Sequence, residues 1–177
     1  MAIFKRIPRL AQVAALYALI VLAVYSWTLI WFFYKIPGWL YYLSIGEILT
    51  SLAYSLATNF FESLATLALP VLLAVLLPKK WFYERFVARG AGLILPGLGY
   101  MMYAAFQFQS KLDYPSDVLN LYPIVLGLML VLSFLVGQVG FLNQALEFIG
   151  NQATVFLYLS IPFSLISILV ILIRLLV

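Results

Sequence analysis

Residues 48–77 read ILTSLAYSLATNFFESLATLALPVLLAVLL and contain one charged residue, Glu62. A helix needs about 20 predominantly apolar residues to cross the hydrocarbon core of a bilayer, so this segment predicts a transmembrane helix. An ionised carboxylate is costly inside a membrane and often marks a functional site. Glu62 is therefore the first candidate functional residue of the chain.

The composition extends this interpretation to the whole chain. Of the 177 residues, 66% are hydrophobic and 9% are charged, and the mean hydropathy is +1.12. Soluble domains are about 45–50% apolar and about 25% charged. We therefore expect one all-α membrane domain over residues 1–177. Short loops and the charge bias described below are typical of a bacterial plasma-membrane protein.

The residue types exclude several classes of chemistry. The chain contains no His and no Cys, which rules out a Ser–His nucleophile pair, zinc sites built on these residues, and disulfides. Intramembrane carboxylate catalysis requires two facing acids, yet both Asp113 and Asp117 fall in one predicted loop. We expect no enzymatic activity, no metal and no cofactor.

Five apolar segments are long enough to span a membrane. They cover residues 11–34, 48–77, 90–108, 119–139 and 154–174, with polar or Pro-containing connections between them. The first continues without a charge from Leu10 to Tyr34, too far for the apolar region of a signal peptide, and is read as a retained helix. Short connections predict a bundle of five helices.

The basic residues predict the orientation of this bundle. With the N-terminus cytoplasmic, seven lie on the inner side and three on the outer side, as the positive-inside rule requires. The inner residues are Lys5, Arg6, Arg9, Lys79, Lys80, Arg85 and Arg89, and the outer ones are Lys35, Lys111 and Arg174. We therefore expect a cytoplasmic N-terminus and an outer C-terminus.

The segment 79–89, KKWFYERFVAR, mixes cations with aromatic residues. On the cytoplasmic side, Lys79, Lys80, Arg85 and Arg89 could contact anionic lipid headgroups, dock a partner, or only fix the orientation. The basic residues of the chain flank apolar segments and form no long run, so nucleic acid is not an expected partner.

Polar residues form a stripe on the second predicted helix. At 100° per residue they share about one third of its circumference with Glu62 near the centre. They are Ser51, Ser55, Thr58, Asn59, Glu62 and Thr66. The stripe is expected to face protein or water. Glu62 lies about 22 Å from Leu77 along the helix, which predicts a depth some 8 Å below the outer boundary.

Depth alone suggests partners for Glu62. Arg174 is predicted at the outer end of the fifth helix, and Tyr100, Tyr103 and Gln107 recur in the outer half of the third. Because residues 36–57 exceed the length that the bilayer needs, they are expected to form a protruding helix or an interfacial segment.

Small residues mark two further helix faces. The run GAGLILPGLG at 90–99 lacks the Gly-Lys-Ser/Thr ending of a phosphate-binding loop and predicts close helix packing with a kink at Pro96. Ser160, Ser164 and Ser167 similarly predict a packed face on the fifth helix.

Two functions stay open at this point. The first is a scaffold or accessory subunit that works with membrane lipids and another membrane protein, or with itself as an oligomer. The second is a small oligomeric ion- or proton-coupled transporter or channel that uses Glu62 and Asn59. A membrane enzyme acting on a lipid-linked substrate is a third and more remote interpretation.

Overall fold

The computed structural model describes residues 8–79, 82–110 and 116–176, which form five helices. Each helix is long and apolar enough to cross a membrane. The bounds are α1 Leu10–Trp39, α2 Ile45–Leu76, α3 Phe86–Ser110, α4 Ser116–Gln138 and α5 Gly140–Leu176. Over the described residues the chain is therefore all-helical, with five helices suited to span a membrane, as the sequence predicts.

The start of α5 differs from the prediction. Residues 143–151, expected to precede the fifth span, are helical, and α5 begins at Gly140. Only Val139 separates it from α4, and the amide of Val139 still donates to the carbonyl of Leu135. The polar residues there suit a helix as well as a loop, because Asn143 donates to Glu147 one turn further on, at 3.3 Å.

The helices are arranged around α1, which packs against α2, α3 and α5 and supplies half of the buried residues of the core cluster. Leu16 contacts Gly90 of α3, and Trp31, further along α1, contacts Phe106, further along α3. The two helices therefore run parallel. The fourth helix packs mainly on α3. We call the two ends of the bundle the Trp39 end, where α1 ends, and the Arg85 end, where α3 begins.

Glycines set the closest helix contacts. A Cβ placed on Gly92 would lie 2.9 Å from the carbonyl oxygen of Leu132, so α3 and α4 touch backbone to backbone. Gly150 meets the carbonyl of Ala15 in the same way, at 3.1 Å. The packing interpretation of the run 90–99 is confirmed at Gly90 and Gly92. Small residues allow this approach where van der Waals contact drives helix association.

The segment between α1 and α2 is a tight turn. α2 starts with a capping box, in which the hydroxyl of Ser44 accepts from the amide of Glu47 while the Glu47 carboxylate accepts from the amide of Ser44. Residues 36–57 are thus the end of α1, a turn at 40–44 and the first turns of α2. The pattern Ser-x-x-Glu was a usable signal for this start.

Replacing Ser44 by Ala is expected to destabilise the protein by about 1 kcal/mol, the usual cost of losing an N-cap side chain. Thermal unfolding of the purified protein in detergent measures this change. Ser51→Ala is the matched control, because the Ser51 hydroxyl only bonds the carbonyl of Glu47 within its own helix. Equal shifts for both variants would contradict the capping role.

Candidate functional site

The polar stripe of α2 is divided between the inside and the outside of the chain. Asn59 is 4% exposed and accepts a hydrogen bond from the Thr28 hydroxyl at 3.0 Å. Ser51, Ser55 and Thr66 are half-buried, whereas Thr58 and Glu62 are exposed. Asn59 faces protein within this chain, as predicted for the stripe. Glu62 does not, so it can face protein only if another molecule covers it.

The hydroxyl groups of the stripe are satisfied within α2 itself. Ser55 and Thr58 donate to the carbonyls of Ser51 and Tyr54, and Thr66 donates to the carbonyl of Glu62. Such back-bonding removes the need for a partner from another helix. Within the described residues, two groups of the stripe therefore lack a hydrogen-bond partner: the exposed carboxylate of Glu62 and the buried side-chain amide nitrogen of Asn59.

A groove of about 330 Å³ separates α2 from the hairpin of α3 and α4. Its lining residues are Ala65, Thr66, Leu69, Ile94, Gly97, Leu98, Met101 and Met129. Glu62 lies one helical turn from Thr66 and within about 60° of the three α2 residues that line the groove. Glu62 itself does not line the groove, but it lies on the same side of α2, one turn from Thr66, and is exposed.

Contacts with α1 place Glu62 along the bundle axis. Ser63 lies 3.2 Å from the hydroxyl of Tyr17, and Asn59 bonds Thr28. Tyr17 and Thr28 bracket the middle of α1, so Glu62 lies opposite the central part of that helix. Within the described residues no hydrogen bond or ion pair involves the Glu62 carboxylate.

Two of the proposed partners lie elsewhere. Arg174 acts electrostatically on Glu47, at the Trp39 end of α2. Glu47 is fifteen residues, or about 22 Å, from Glu62, so the expected pairing of Arg174 with Glu62 does not form. The hydroxyl of Tyr100 donates to the carbonyl of Val118 on α4.

The other two proposed partners are not brought to Glu62 by any described contact. Tyr103 lines a cavity beside Trp27 and Trp31 of α1. Gln107 is half-buried near the end of α3.

The basic segment is partly structural. Arg85 donates to the carbonyl of Gly137 at the end of α4, and the side chain of Arg89 lies across the same glycine and is 7% exposed. Cations at the C-terminal end of a helix also interact favourably with its dipole. These two residues clamp α4 against α3, which leaves Arg89 unavailable for lipid headgroups.

The lysines of this segment differ. The ammonium group of Lys79 lies 5.8 Å above the ring of Tyr83 and is exposed. Lys80 lies outside the described residues. Contact of Lys79 with lipid headgroups therefore stays a prediction, which its exposure permits.

Hydrogen bonds of α1 were missed at the sequence level. Tyr25 bonds the Ser164 hydroxyl at 2.7 Å, and Ser164, in the predicted small-residue face of α5, is fully buried. Tyr17, Tyr25 and Thr28 lie within about 80° of one another on a helical wheel. That clustering was a signal for a second polar face.

No three metal-ligating side chains come together in the described residues. Compared with known protein families, curated proteins and solved structures, the chain gives no match.

Proposed function

We propose that this protein is a non-catalytic subunit of a membrane complex, and that the α2 face around Glu62 contacts another membrane protein. The observation that carries the proposal is the exposed Glu62 carboxylate in the middle of an apolar helix, with no partner in the described chain. An ionised carboxylate inside the membrane is costly, by up to about 3 kcal/mol at the bilayer centre on insertion scales. A neighbouring cation would offset that cost.

The expected partner is a transmembrane helix that carries a Lys or Arg near its middle. The groove beside Glu62 offers an apolar seat for such a helix, formed by residues such as Leu69 and Met101. A polar contact between membrane helices adds about 1 kcal/mol to their association. The charge pair therefore determines which helix binds, while apolar packing in the groove provides most of the binding energy.

A second copy of this chain fits the face less well. In the sequence, its basic residues all fall near the ends of the five apolar segments or between them, away from the middle of a segment, where Glu62 lies. A symmetric dimer through this face would also bring two Glu62 carboxylates together, which is unfavourable. These two arguments favour a different protein as the partner.

A charge reversal tests the proposal. Glu62→Lys is expected to abolish co-purification of the partner from native membranes in mild detergent. Glu62→Gln, which removes the charge but keeps a hydrogen-bonding group, is expected to weaken it about tenfold, since a charge-assisted hydrogen bond is lost. Glu47→Gln, on the same helix and also exposed, is the matched control.

Rescue makes the test specific. Once the partner is known, replacing its intramembrane Lys or Arg by Glu is expected to restore binding to Glu62→Lys. Unchanged co-purification with Glu62→Lys would contradict the proposal. If wild-type proteoliposomes instead show a cation or proton flux that Glu62→Gln abolishes, the transporter alternative is supported.

A further inference from the structure

Another cavity lies between α1 and α2, in the half of α1 that leads to the Trp39 end. It measures about 190 Å³ and is lined by Trp27, Thr28, Trp31, Phe32, Lys35, Trp39 and Ser55. Its aromatic rings brace one another edge to face. The centroids of Trp27 and Trp31 are 5.5 Å apart, as are those of Phe32 and Trp39. The wall of this cavity is therefore a set of mutually packed rings.

The hydroxyl groups of the cavity are acceptors. The proton of Thr28 is donated to Asn59 and that of Ser55 to the carbonyl of Ser51, at 3.0 and 2.9 Å. The oxygen lone pairs that remain can only accept hydrogen bonds. A ligand that satisfies them must carry N–H or O–H groups.

The remaining polar groups are donors. The Lys35 ammonium, which is exposed, and the indole N–H groups of the lining tryptophans can only donate hydrogen bonds, and the charge of Lys35 favours an anion. The faces of tryptophan rings attract a cation. The lining therefore fits a small ligand that combines an anionic group with a positively charged N–H donor.

The size and position of the cavity indicate which part of a ligand it can hold. Pockets for drug-sized ligands measure about 300–1,000 Å³, so this cavity suits a small head group or part of a larger molecule. Clusters of tryptophan and tyrosine are typical of the membrane–water interface. Tyr41 and Tyr42 lie exposed in the turn next to Trp39, which extends the aromatic cluster at this end.

We propose that this cavity binds the phosphoethanolamine head group of a phospholipid. The phosphate pairs with Lys35, and the ammonium group donates to the oxygens of Thr28 and Ser55 against the tryptophan faces. The site uses residues other than Glu62 and stands independently of the proposed partner contact.

Native mass spectrometry of the purified protein tests this proposal with three lipids of identical acyl chains. Phosphatidylethanolamine is expected to remain bound about tenfold more than phosphatidylcholine, which keeps the phosphate and the cation but has no N–H donor. It is also expected to exceed phosphatidylglycerol, which has hydroxyl donors but no cation. Equal retention of the three lipids, or a preference for either of the other two, would overturn the proposal.

Variants assign the effect to the cavity. Lys35→Gln and Thr28→Val are each expected to remove the preference for phosphatidylethanolamine. Arg174→Gln, which removes another exposed cation at the same end, is expected to keep it. Loss of the preference in Arg174→Gln, or its survival in both cavity variants, would contradict the assignment. Melting temperatures close to wild type show that the variants are folded.

Competition with free phosphoethanolamine distinguishes a soluble ligand from a bilayer lipid that carries the same head group. If it displaces the lipid at millimolar concentration, the cavity recognises the head group alone and can take a soluble ligand. If it does not, the acyl chains contribute and the ligand is a bilayer lipid. This experiment identifies the source of the ligand, and the lipid series tests the head-group chemistry itself.

Discussion

Replacing Gly92 by Ala is expected to destabilise the folded bundle, whereas the same replacement at Gly99, on the same helix, is expected to be neutral or stabilising. A Cβ at Gly92 would lie 2.9 Å from the carbonyl oxygen of Leu132 and 3.1 Å from the Cα of Ser133. Both are backbone atoms, so α4 must shift as a whole. At Gly99 a Cβ meets no atom within 4 Å.

The expected magnitudes have opposite signs. Overpacking at Gly92 costs about 1–3 kcal/mol, and Gly92→Val more. Gly99→Ala gains up to about 1 kcal/mol from the higher helix propensity of alanine. Thermal unfolding in detergent measures both. If the two variants shifted the melting temperature in the same direction by similar amounts, the close approach of α3 and α4 would be wrong.

Replacing Gly137 by Val is expected to destabilise the protein by about 3 kcal/mol, the upper end of typical overpacking costs. A Cβ there would lie 2.8 Å from Cγ of Arg89 and still closer to its Nε. Arg89 is 7% exposed, so its side chain must leave its buried position to make room for the valine. The end of α4 would separate from α3.

A matched control and a double variant make this prediction specific. Gly127→Val lies on the same helix, where a Cβ meets no atom within 4 Å, and is expected to change the melting temperature little. Arg89→Ala is expected to recover part of the stability lost in Gly137→Val, because the shorter side chain vacates the space. Additive losses in the double variant would show that Gly137 and Arg89 do not interact.

The helices could be predicted because each membrane crossing requires a long apolar run, and such runs can be recognised in the amino-acid sequence alone. The start of α5 could not, because a search for apolar runs excludes polar helical turns. Asn143 and Glu147 look like a loop by composition, yet their spacing of four residues lets them bond on one helix face.

The candidate site was only partly predictable for a related reason. The angular position of Glu62 relative to Thr66 follows from helix geometry alone. Which helix covers that face depends on how α3 lies against α1, and this is set by contacts such as Gly90 against Leu16. The pairing of Arg174 with Glu62 was predicted from depth alone, whereas Arg174 acts on Glu47, which lies about 22 Å from Glu62 along α2.

The contact between α1 and α5 has a consequence for biosynthesis. Tyr25 and Ser164 are 139 residues apart in the chain. At about 5–20 residues per second, the ribosome needs roughly 7–28 s to make the second after the first. During that time the polar face of α1 lacks its final neighbour. An insertion factor or the translocon is therefore expected to shield α1 until α5 enters the membrane.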